Sequence, residues 1–239
     1  MAMPLATALP EGIFVSDYII AFDIETIRRP DTDDYFRSKV YKAPGNLKDP
    51  EKIRAAIEEK RRTDYEDAAL YWWTNQVVCI TAIPTDEPDW AVAFYGDDEN
   101  KVLRDFFDQV RVWSCSPRLV GKSSKHFDEP VLVGRSLAHD IGVPDFLRTT
   151  QYPKDVDDLF SFSSQCSQRS TLSNYAYGLG ISGKSGRGDD VAQWHAEATL
   201  GNADKWGLIA AYCLQDSKIV AEMMRRWMKP YESKNYIQV

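Results

Sequence analysis

A short apolar run with acids at its end lies near the start, where Asp17 to Thr26 reads DYIIAFDIET. Apolar residues fall on both faces of this run, which predicts a central strand covered on two sides, and two acids stand at its end. Residues 1–17 read as an N-terminal arm. From Arg28 to about Asp49 the chain is polar and broken by prolines, and Pro50 opens a charged helix to about Leu70. The stretch at about 28–75 is therefore expected to be a helical insertion in a single domain spanning 18–227, with 228–239 as a tail. Two strands are expected at Val77–Ile83 and Trp90–Tyr95, separated by the turn-rich PTDEP segment. Helical spacing follows at Val102, Leu103, Phe106, Phe107 and Val110, then a strand at Arg118–Gly121 and a helix from Pro130 through His139. In the last third, Ser170 or Thr171 can cap a helix that Gly178 and Gly180 end. Gly183 to Gly188 reads as a basic, glycine-rich loop. Helices are then expected near Val191–Leu200 and over Lys205–Trp227, the last with an apolar stripe from Leu208 and Ile209 through Tyr212 and Cys213 to Met224 and Trp227.

Composition narrows the class. The 239 residues carry 29 Lys+Arg against 36 Asp+Glu, a net charge of −7, and 44% hydrophobic residues, as in a folded, water-soluble protein. No apolar run approaches the ~18–20 residues that a bilayer requires. The four cysteines are far apart, without a CxxC pair, and there are three histidines, so neither a disulfide framework nor a zinc site is expected and a reducing cytoplasm is the default. The acidic balance argues against a protein that coats polyanions generally, but leaves room for an enzyme that grips nucleic acid locally.

Three sets of acids invite chemistry. Asp23 and Glu25 are two apart on a strand, so both project from one face, where they repel each other and call for a cation or a protein partner. A strand that has simply reached the surface would look the same. Asp216 lies four residues after Tyr212, inside the apolar stripe of the last helix, where a carboxylate needs compensation from a metal or a basic side chain. Asp128, after Lys125-His-Phe127 and before Glu129-Pro130, is either a helix N-cap or a third site acid.

Together, Phe22-Asp-Ile-Glu-Thr26, Gly121 through His126-Phe-Asp-Glu-Pro130, and Tyr212-Cys-Leu-Gln-Asp216 resemble, in order, the three motifs of the DEDD exonuclease superfamily. More narrowly, the chain is similar to the predicted 3′-to-5′ exonucleases related to the proofreading domain of family B DNA polymerases. The resemblance spans about residues 18–227. The position five before the last acid is Ala211 and the one four before it is Tyr212, which matches the tyrosine branch. Ser123 stands where the second motif commonly has Asn. Gly183-Lys-Ser-Gly186, upstream of Asp190-Val191, is also similar to a loop of that family.

This resemblance implies an α/β, RNase H-like fold with a mixed five-stranded sheet flanked by helices. It also implies a 3′-to-5′ exonuclease that releases nucleoside 5′-monophosphates from single-stranded nucleic acid, DNA ahead of RNA. Asp23, Glu25, Asp128 and Asp216 would hold two divalent cations, Mg2+ or Mn2+, which suit an all-oxygen shell. Asp23 would bridge them, Glu25 and Asp216 would lie toward the nucleophile and Asp128 toward the leaving group. Tyr212 would orient the attacking water, because a phenol near pKa ~10 is a poor base. Candidate substrate contacts are Thr26, Ser123 and Phe127 beside the first two motifs, and Lys184 and Arg187 in the glycine loop.

Two further features compete for attention. Gly178-Leu-Gly-Ile-Ser-Gly-Lys-Ser185 satisfies the P-loop pattern, but a P-loop follows a strand and opens a helix, whereas helical spacing precedes this segment. Trp72 and Trp73 are able to stack on bases. The stronger expectation places them in the core beside the second strand, because large aromatics mostly anchor interiors.

Overall fold

The computed structural model describes residues 18–114, 117–147, 171–183, 186 and 188–229. Strand β1 (Ile19–Arg28) is central, paired antiparallel to β2 (Asn75–Pro84) and parallel to β4 (Arg118–Val120), while β3 (Val92–Tyr95) pairs antiparallel to β2. The resulting mixed sheet has the order β3-β2-β1-β4, four strands among the described residues where five were expected. Helices follow at α1 (Asp33–Ser38), α2 (Pro50–Glu66), α3 (Glu99–Trp113), α4 (Asp128–Ala138), α5 (Leu172–Gly178), α6 (Asp189–Thr199) and α7 (Asp204–Trp227). None of them is long and apolar enough to cross a membrane.

The alternation in β1 divides the core. Ile20, Phe22 and Ile24 face α3 and α4, where they meet Val102, Leu103, Phe106, Val131 and Leu132. Ile19 and Ala21 face the other way, onto Leu172 and Ala176 of α5 and Ile219–Met224 of α7. Farther along that second face Ile27 packs with Ile209, Tyr212 and Cys213. Asp23 and Glu25 interrupt this second row, so the acid pair points toward α7. Opposite them β2 carries a bulge: Glu25 pairs with Cys79 but Thr26 pairs with Val77, leaving Val78 as the extra residue. Val78 and Cys79 consequently join the same cluster beneath α7, the local re-aiming that a bulge produces.

Capping follows the local sequence. Asp49 accepts hydrogen bonds from the backbone of Glu51 and Lys52 at the start of α2, and Thr171 accepts one from Asn174 at the start of α5. Gly180, with φ of +64°, adopts the left-handed turn that ends α5. α2 contains no buried residue, in keeping with its charged sequence. It leads into a 3-10 turn over Asp67–Leu70, tied to the core by the Thr26 hydroxyl donating to the Ala69 carbonyl at 2.7 Å.

Two expectations about packing need correction. Trp72 and Trp73 are not core residues: they are 40% and 45% exposed, because β2 begins only at Asn75 and both indoles lie outside the sheet. Leu208 and Trp227, placed on the apolar stripe of the last helix by spacing, are also exposed, and the buried stripe of α7 runs from Ile209 to Met224.

A candidate metal centre

The site grows from the junction of β1 and α7. The Asp23 and Glu25 side chains are half-buried, and their carboxylate oxygens form a group with the Cys213 sulfur in which all ligand atoms lie within 4.8 Å of one another. Asp128 and Asp216 do not join that group, although both are 5% exposed and therefore enclosed. Two carboxylates at this range form a hard, anionic pair of the kind that suits a divalent cation, and Asp128 and Asp216 are further buried acids on α4 and α7.

Cys213 holds the two elements in register. Its sulfur lies 3.3 Å from the Asp23 backbone carbonyl and 3.6 Å from Asp23 Oδ2, so the thiol donates toward the first acid. On its other side Thr81, the cross-strand partner of Asp23, brings its hydroxyl to 3.2 Å from the sulfur and 2.7 Å from the Ser217 hydroxyl. Burial pushes the Cys213 thiol well above its ordinary pKa, and neighbouring Cys79, Asp23 and Glu25 push it in the same direction. The protonated thiol is a donor to the Asp23 carbonyl and carboxylate. Sequence reasoning placed Cys213 in the apolar stripe and missed this role. The available signal was its position three residues before Asp216, one helical turn on the same face.

Tyr212 and Asp216 lie on the same helix, one residue before and three residues after Cys213, and both are buried. Tyr212 is 4% exposed, edge-on to Trp194 of α6 with ring centroids 6.1 Å apart. Gly186 lies against the tyrosine ring, where an added Cβ would stand 3.3 Å from Cδ2, and a Cβ on Gly188 would lie 3.9 Å from the hydroxyl. Gly186 and Gly188 thus lie beside the tyrosine. Lys184 and Arg187 lie outside the described residues. The helix α5 precedes this loop, so the strand that a P-loop needs is absent there.

Asp128 is reached through β4. The backbone turns at Gly121, where a Cβ would stand 2.8 Å from the Ser124 Cβ and 3.3 Å from the Phe22 carbonyl oxygen, leaving room only for glycine. Ser123 adopts a left-handed conformation with φ of 63°, and a 3-10 turn over Ser124–His126 delivers the chain to α4. The N-cap position of α4 is Phe127, whose half-buried ring packs against the core, and Asp128 is the first helical residue. The simple N-cap reading of Asp128 therefore fails. Thr26, an expected substrate contact, donates its hydroxyl proton to the Ala69 carbonyl.

Comparison with known proteins agrees with this fold. Among solved structures the chain is similar to the family B DNA polymerase of the hyperthermophilic archaeon Pyrobaculum calidifontis, with a TM-score of 0.53 and 17% identity over 90% of this chain. It spans about a quarter of that polymerase's length, 25%. The likeness establishes the fold as the RNase H-like one of polymerase exonuclease domains. No curated protein sequence matches significantly. Residues 73–218, more than half of the chain and including Asp128, Tyr212 and Asp216, match one family model, and the chain belongs to the predicted 3′-5′ exonucleases related to the exonuclease domain of PolB.

Proposed function

We propose that the protein is a metal-dependent 3′-to-5′ exonuclease that hydrolyses single-stranded DNA to nucleoside 5′-monophosphates. The observation that supports this reading is the proximity of Asp23 and Glu25 to Cys213 of α7, the helix that also bears Tyr212 and Asp216. Mutually repelling carboxylates of this kind reject an anionic phosphodiester unless cations intervene. Asp23, Glu25, Asp128 and Asp216 would hold Mg2+ or Mn2+, which supply charge neutralisation at the scissile phosphate and activation of water.

The chain's own residues have separate tasks. Asp23, held by the Cys213 thiol, and Glu25 present oxygen donors from a rigid central strand. Asp216 presents another from the buried face of α7, and Asp128 one from the first turn of α4. The Tyr212 hydroxyl orients the attacking water, its ring fixed between Trp194 and Gly186. Orientation suffices, since an ordinary phenol is too weak a base near neutrality.

The experiment offers 5′-labelled DNA and RNA strands with Mg2+, Mn2+ or chelator and resolves the products. Stepwise shortening of DNA with metal alone supports the proposal. Shortening of RNA in preference to DNA transfers the same chemistry to the other sugar, and cleavage that persists in chelator, or internal cutting of a circular strand, refutes it.

A further inference from the structure

The aromatic segment Leu70–Trp73 has no role in the chemistry above, yet it adjoins β1 and α4, two elements that carry candidate site acids. Leu70 is 56% exposed, Trp72 40% and Trp73 45%, and clustered exposed apolar side chains of this kind can mark binding. Its backbone is rigidly tied. The Tyr71 carbonyl accepts from the amides of Thr74 and Asn75 at 2.9 and 2.8 Å, and buried Thr74 and Asn75 donate side-chain hydrogen bonds to the carbonyls of Ala68 and Ala69. The rings are ordered as well. Tyr71 and Trp73 stack with centroids 5.0 Å apart at 14°, and Trp72 stands edge-on to Trp73 at 5.9 Å. Trp72 in turn covers Gly134 of α4, where an added Cβ would stand 2.4 Å from its Cδ2.

The position of this platform gives its meaning. Ala69 is bonded to Thr26, the residue after Glu25, and Gly134 lies six residues along α4 from Asp128, about 9 Å at the helical rise. The rings therefore adjoin two of the elements that carry the site acids. A fixed, uncharged aromatic surface suits the faces of unpaired bases, whereas phosphates would call for cations. In an acidic chain, stacking also supplies affinity for a polyanion without a broad basic surface.

We propose that Tyr71, Trp72 and Trp73 form a stacking platform for bases of the substrate strand beyond its terminal nucleotide, with Trp73 the principal contact. The inference rests on the exonuclease reading for its ligand, but its test does not require hydrolysis. Binding of a 5′-labelled oligothymidylate of about twenty nucleotides is followed by anisotropy in chelator for wild type, Trp73→Ala and Trp73→Phe. Loss of one stacked base should weaken the alanine variant about tenfold, and phenylalanine should restore most of the affinity. The ratio of alanine to wild-type Kd should hold between about 50 and 300 mM NaCl, since stacking releases no counterions. Affinity for a dithymidylate, too short to span acids and platform, should be unchanged. Equal binding by wild type and Trp73→Ala, or an equal loss on the dinucleotide, overturns the proposal. So does conversion of a dimer to monomers by Trp73→Ala without a change in DNA affinity, which would make this surface a contact between copies of the chain. A wild type that binds through Trp73 but digests nothing would refute the exonuclease reading and leave the platform standing.

Discussion

Replacing Arg135 should reveal how firmly the helix that carries Asp128 is anchored. Arg135 and Glu99 each expose 4% of their side chains, and the guanidinium grips the carboxylate twice, Nε to Oε1 at 2.9 Å and Nη2 to Oε2 at 2.6 Å. Glu99 also accepts from the Val77 amide at 2.7 Å and sits 2.6 Å from His139 Nε2, so this one carboxylate joins α3, α4 and β2. Arg135→Met fills similar space but leaves Glu99 buried with two partners. Breaking an enclosed pair from one side costs ~3–5 kcal/mol, and the retained Val77 and His139 contacts favour the lower end, about 3 kcal/mol. For a domain of this size that corresponds to roughly 6–12 °C in Tm. The double variant Glu99→Met/Arg135→Met removes the buried charge and leaves mainly the Val77 amide unsatisfied, about 1–2 kcal/mol, so it should be more stable than Arg135→Met. Urea unfolding at neutral pH with a common m-value measures all three proteins. An Arg135→Met variant within about 1 kcal/mol of wild type, or a double variant less stable than the single one, would refute the reasoning.

Other expectations concern the site. Cys213→Ala removes the donor to Asp23 and should raise the Mg2+ concentration for half-maximal activity several-fold, whereas Cys213→Ser keeps a donor and should recover most of it; equal metal requirements in all three proteins would deny Cys213 a positioning role. Tyr212→Phe should lower the single-turnover rate about a hundredfold with little change in strand affinity, and an unchanged rate would make the tyrosine a packing residue. Gly186 has φ of +102° and abuts the tyrosine ring, so Gly186→Ala is strained and crowded there and should lower turnover in the same way. An unaltered rate would show that the loop does not position Tyr212.

The parts of this molecule that were legible in its sequence are those governed by short periods. Apolar residues on both faces of Ile19–Ile24 foretold a central strand, and the three acid-bearing segments emerged on β1, α4 and α7 in the expected order. What depended on register was not legible. The bulge at Val78 that sets Cys79 beneath α7, and the thiol of Cys213 against Asp23, arise from the alignment of residues ~55 to 190 positions apart in the chain, which no local pattern encodes. Trp72 and Trp73 misled because aromatic character signals burial without showing where the neighbouring strand begins. Leu208 and Trp227 misled because a stripe identifies the apolar face of a helix, not the length over which another layer covers it. The hydrogen bond from the Thr26 hydroxyl to Ala69 was likewise beyond any local pattern.

In the proposed function the acids on β1 and α7 serve one metal-dependent hydrolytic reaction at a strand's 3′ end. Its most direct test is the rate of 5′-monophosphate release from single-stranded DNA in Mn2+, measured for wild type, Asp23→Asn and Asp216→Asn at matched folding by circular dichroism. Each substitution keeps the side chain's shape and removes a charge, so the account predicts rapid release by wild type and near-complete loss in both variants. Melting temperatures in metal-free buffer should be equal or higher, because repulsion between the acids is relieved. Wild-type release by a folded Asp23→Asn or Asp216→Asn protein would contradict the account.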